Sequence, residues 1–146
     1  MDPTAKDALT ISRLLAVLAL VMPLACSTDR SDRNSGTSAD SLAQAFGRRF
    51  VAFLQAADRG DSIALASATS DSIPIKWLQR VNRQEPGFVQ ALLENRTMEA
   101  FDRIAPDTVA MLFTFRHRDD TERIGVTFVQ QAGAWKVWRV GLPNRM

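Results

Sequence analysis

"TVAMLFTFRHRDDTERIGVTFVQQAGAWKVWRVGL", residues 108–142, decides the fold. In its first third Val109, Met111, Phe113 and Phe115 fall on one face and Ala110, Leu112, Thr114 and Arg116 on the other. A period of two in a run rich in β-branched and aromatic residues marks a half-buried strand. The polar "RDDT" turns the chain, and Ile124, Val126 and Phe128 then alternate against Arg123, Thr127 and Gln131. Ala132-Gly133 turns it again, and the last segment sets Trp135 and Val137 on one face and Trp138, Val140 and Leu142 on the other. "MEAFDRI", residues 98–104, adds a weaker strand ahead of the turn signal Ala105-Pro106-Asp107. Consecutive strands joined by short turns make an antiparallel meander.

Upstream the period lengthens. Leu42, Phe46, Phe50, Phe53, Leu54 and Ala57 form one apolar stripe at helical spacing, with Ser41 and Gln44 placed to cap its start and Gly60 to end it. Asp61 is suited to cap a second helix that turns Ile63, Leu65 and Ala66 inward. In "DSIPIKWLQRVN", residues 71–82, Pro74 fits a first helical turn and Trp77, Leu78 and Val81 share a face. Pro86-Gly87 breaks the chain before Phe88, Ala91 and Leu92 resume helical spacing. Helices first and a meander second predict one α+β domain over residues 41–146, with the helices covering one face of a curved sheet.

The N-terminal residues read as an address. Lys6 and Arg13 precede the uncharged stretch Leu14–Ala25, which is shorter than the ~20 residues a membrane-spanning helix needs. The small residue Ala25 stands directly before Cys26, the chain's single cysteine. Residues 26–40 are polar and small, the composition of a flexible tether. Ala25-Cys26-Ser27 after that apolar stretch resembles a bacterial lipoprotein signal peptide, although Pro23 stands where that pattern favours leucine. The resemblance implies that residues 1–25 are removed and that Cys26 carries lipid. It also implies a domain anchored to a membrane of the bacterial cell envelope, on its periplasmic or extracellular face. Several acyl chains give stable attachment where one does not.

The segments "FVAFLQAADRGDSIALASA", residues 50–68, and "GAWKVW", residues 133–138, in this order of elements resemble the nuclear transport factor 2-like superfamily, the cystatin-like cone fold. The resemblance implies a bent sheet wrapped around the first helix, a conical apolar cavity and homodimers through the open sheet face. That superfamily hosts isomerases, dehydratases, cyclases and many members without catalysis, so the fold does not name an activity. The isomerase solution uses a tyrosine in its oxyanion hole, and this chain has no tyrosine.

Composition narrows the chemistry further. With 18 basic and 16 acidic residues and a net charge of +2, no block of either sign marks a nucleic-acid surface. His117 is the single histidine. It shares the parity of Phe113 and Phe115, which allows an acid–base pair with Asp102 or Asp119, but it lies beside a charged turn, where a solvated strand-end histidine is the plainer expectation. Asp102 and Arg139 are the candidates for a cross-strand ion pair, the plainer reading, or for a polar anchor lining a cavity. Phe50, Trp77, Phe113, Phe128 and Trp135 are candidates to line that cavity, and core packing is the plainer reading of each. One histidine and one cysteine far apart make no metal-ligand spacing, and no glycine-rich phosphate loop or nucleophile motif occurs. Neither metal nor cofactor is therefore expected. The leading expectation is a membrane-tethered, non-enzymatic binding domain for an apolar small molecule or a protein partner. The alternatives are a small-molecule enzyme using His117 and an aspartate, and a dimerising scaffold.

Overall fold

The first strand pair sets the frame. A computed structural model of the chain describes residues 34–143, with side-chain surroundings from residue 39 onward. Cys26, the expected signal peptide and most of the expected tether lie outside the described residues. Strands β1 (Thr97–Ala105), β2 (Thr108–His117), β3 (Asp120–Gln131) and β4 (Ala134–Gly141) form one antiparallel meander in the order β1-β2-β3-β4. Helices α1 (Asn34–Arg59), α2 (Ser62–Ala68), α3 (Ile73–Gln84) and α4 (Phe88–Asn95) precede it in the chain and cover its inner face. This is the α+β layout that the two periodicities predict, and it is compatible with a cone-like fold.

The inner face is a continuous apolar core. Phe50, Phe53, Leu54, Leu92, Phe113, Phe115, Ile124 and Phe128 are all buried. Phe46 of α1 meets Phe128 at 5.1 Å and Trp135 at 4.9 Å between ring centroids, and Phe50 stacks on Phe113 at 5.0 Å. Offset and edge-on pairs of this kind add to what burial of the rings already contributes. The helical stripe from Phe46 to Leu54 thus lies against the odd-numbered row of β2 and the even-numbered row of β3.

Local signals explain the helix ends. Gly60 takes the left-handed conformation at φ 67°, and the Gly60 and Asp61 amides donate to the carbonyls of Ala57 and Ala56 at 3.2 and 2.9 Å, a Schellman stop. The next residue starts α2: the Ala64 amide donates to Asp61 Oδ1 at 3.0 Å. After α2, Thr69 makes a parallel bridge with Val137 and the Ser70 amide donates to the Val137 carbonyl at 2.9 Å. That contact ties the helical layer to the free edge of β4 and shields part of it.

Three expectations need correction. α1 begins at Asn34, so Ser41 lies inside the helix and does not cap it. Ile63 is 83% exposed and Ala66 is exposed too, leaving Leu65 as the buried residue of α2, because so short a helix packs along a single line. Val140 is buried and does not face outward with Trp138. The cause is a β-bulge: Phe128 pairs with Val137 and Thr127 with Arg139, so Trp138 is an extra residue that resets the alternation of β4.

Candidate functional site

Periodicity carries the buried row of β2 past its apolar residues. Val109, Met111, Phe113 and Phe115 are followed on the same face by His117, which is only 6% exposed and has its ring 5.8 Å from that of Phe88. The hairpin turns on Arg118 and Asp119, with Arg118 at φ 57°, and His117 pairs across it with Asp120. Two residues further along β3, Glu122 pairs with Phe115 and therefore shares the inner face.

A third acidic group arrives from the helices. Glu85 is the C-cap of α3, its amide bonded to the Val81 carbonyl at 2.7 Å, and the Glu85-Pro86-Gly87 turn starts α4 with Gly87 left-handed at φ 86°. This places Glu85 Oε2 3.3 Å from His117 Nδ1, on which Glu122 Oε1 also converges at 3.5 Å. The histidine is buried, while the Glu85 and Glu122 side chains are 44% and 26% exposed, so the cluster opens to solvent on its carboxylate side. Nδ1 carries at most one hydrogen and faces two carboxylates.

The partners foreseen from sequence differ from these. His117 is buried, not solvated at the strand end, because it continues the odd-numbered row under α4. Asp119 is in the exposed turn, and Asp102 pairs with Ala110, far along β2 from His117. Asp102 and Arg139 stand on opposite edge strands, so no cross-strand pair between them is possible. Arg139 instead reaches Asp71 at 3.3 Å and lies over the Trp138 ring at 4.6 Å. Glu85 and Glu122 escaped the sequence reading, since the residues are separated in the chain and only the hairpin register and the α3 terminus bring them to the histidine. The parity of Glu122 with Ile124 was the available signal; Glu85 had none.

The cavity candidates are equally specific in their placement. Phe50, Phe113 and Phe128 are packed against other rings in the core, and Trp77 and Trp135 are half-buried at its margin. A separate pocket of about 140 Å³ lies between the end of α1, α2 and α3, lined by Ala57, Gly60, Ser62, Leu65, Ile75 and Gln79. On the outer sheet face, Ala110, Leu112 and Thr114 are half-buried among Arg116, Arg123 and Asp102. Among the described residues no helix is long and apolar enough to cross a membrane. No protein-family model, curated protein or solved structure matches this chain.

Proposed function

We propose that this chain is a binding domain of the bacterial cell envelope, related to the nuclear transport factor 2-like proteins, tethered through lipid on Cys26, that takes up an apolar group without transforming it. The observation that carries the reading is the pocket beside α2. Its walls are largely apolar, from Ala57, Leu65 and Ile75, with Ser62 and Gln79 as the polar side chains. A few polar groups in an apolar pocket are the usual composition of a small-molecule site. Its volume is near that of a ~150 Å³ cavity able to admit benzene. It therefore suits a single ring or branched alkyl end, either free or as part of a larger ligand.

The placement of His117 weighs against the enzymatic alternative, since its Nδ1 faces Glu85 and Glu122 and it does not line the pocket where the apolar group would sit. The test has two parts. Mass determination of the native protein extracted from membranes is expected to give a chain beginning at Cys26 with added lipid, and a mature chain beginning elsewhere would remove the tether. Heteronuclear NMR of the protein titrated with benzene is expected to shift the Leu65 and Ile75 methyl signals saturably, and an Ala57→Phe variant is expected to abolish the shift. Unchanged methyl signals in the parent protein would remove the pocket reading.

A further inference from the structure

We infer that Glu85, His117 and Glu122 form a binding site for a first-row divalent transition cation, with zinc as its most direct probe. One nitrogen and two carboxylate oxygens, each from a different side chain, lie within 4.8 Å of one another. A tetrahedral zinc ion with metal–ligand distances of ~2.1 Å separates its ligand atoms by ~3.4 Å. The His117 Nδ1 contacts of 3.3 and 3.5 Å to Glu85 Oε2 and Glu122 Oε1 already match two edges of that tetrahedron. Closing the third edge requires only that the two carboxylates, both partly exposed, swing toward each other.

Three features favour a cation over a purely structural cluster. The imidazole is buried and held between Phe88 and the β2–β3 hairpin, so the donor is fixed before any ion arrives. Two carboxylates converge on one nitrogen, an arrangement that a single N–H serves poorly and that a divalent ion satisfies on both sides. The carboxylates face solvent, which leaves an entry path and room for water as a fourth ligand. The donor set also selects the metal. Calcium and magnesium favour all-oxygen shells, whereas imidazole with carboxylate suits zinc, iron or manganese.

His117 is the single histidine of the whole chain, so its ring signals report the site without ambiguity. The experiment uses the full chain bearing Cys26→Ser, which removes the one thiol able to compete for the metal. After chelator treatment, zinc chloride is added while the imidazole nitrogens are followed by NMR, and cobalt(II) absorption is recorded in parallel. Saturable binding of one equivalent, with the Nδ1 resonance displaced and a tetrahedral cobalt spectrum, is the expected result. His117→Gln and Glu85→Gln should each weaken binding at least tenfold. Glu85 sits at a half-exposed helix end, so its variant is expected to keep the fold even if His117→Gln does not. Zinc that fails to move the Nδ1 signal, or binds Glu85→Gln as it binds the parent, would overturn the inference. So would calcium binding as tightly as zinc.

Discussion

The inner face of the sheet holds two regions built on the same strand by opposite means. Around Phe113 the row of β2 packs apolar groups together, with Phe50 stacked on its ring, Phe53 stacked on Phe50 and Ile124 opposite it on β3. Two steps beyond Phe115 the same row ends in an imidazole between two carboxylates. Nearly equal burial of Phe113 and His117 hides a difference in kind. Apolar burial is non-directional and scales with area, so the aromatic region tolerates small displacements. A buried polar group depends on partners at hydrogen-bonding range, so the His117 corner depends on where the hairpin and the α3 terminus put Glu122 and Glu85.

The hardest way to break this contrast is to empty the aromatic region. Phe50→Ala removes a fully buried ring that stacks on Phe53 and Phe113, and the neighbouring elements cannot close fully over the void. A loss of about 3–5 kcal/mol in urea unfolding is expected, with no effect on zinc binding in whatever fraction stays folded. A loss below about 1 kcal/mol would mean that the rings are not the structural centre.

At the polar corner the expected signature is coupling, not bulk loss. A double-mutant cycle of His117→Gln and Glu122→Gln in metal-free protein should give an interaction of about 1–3 kcal/mol, because a buried imidazole loses a carboxylate that lies 3.5 Å from its Nδ1. Independent, additive effects would show that the two side chains only happen to be near each other. A smaller effect is expected at the helix junction that positions α2 over the pocket. Asp61→Ala leaves the Ala64 amide without its cap and should cost about 1 kcal/mol.

The contrast also explains what the sequence made legible. The aromatic region was readable because strand and helix periods are local, and Val109 to Phe115 and Phe46 to Leu54 announce their inner faces residue by residue. The bulge at Trp138 was not readable: an inserted residue changes parity only once the register with Thr127 and Phe128 is known. The polar corner was half readable. The parity of His117 was visible, but proximity to a charged turn argued for solvent, and α4, the element that buries it, is distant in sequence. Glu85 owes its place to the turn between α3 and α4, a tertiary fact with no local pattern. The pocket beside α2 was likewise invisible, since exposed Ile63 and buried Leu65 differ only in which side of a short helix meets α1 and α3.

The sharpest control lies on the outer sheet face, where Arg123 and Glu99 form a pair of opposite charges at 2.6 Å. That contact is shorter than either contact of His117, and distance alone would rank it as the stronger. Burial reverses the ranking. Arg123 is 59% exposed and Glu99 34% exposed, so water and salt screen the attraction and two long side chains lose freedom in holding one geometry. A cycle of Glu99→Ala and Arg123→Ala should therefore couple by only about 0.2–1 kcal/mol, shrinking further in high salt. The His117–Glu122 coupling should change little with salt, because its nitrogen is shielded from the ions. Equal couplings with equal salt dependence would show that the corner at His117 is as open as the outer face, and would remove the physical basis for treating it as a preorganised site.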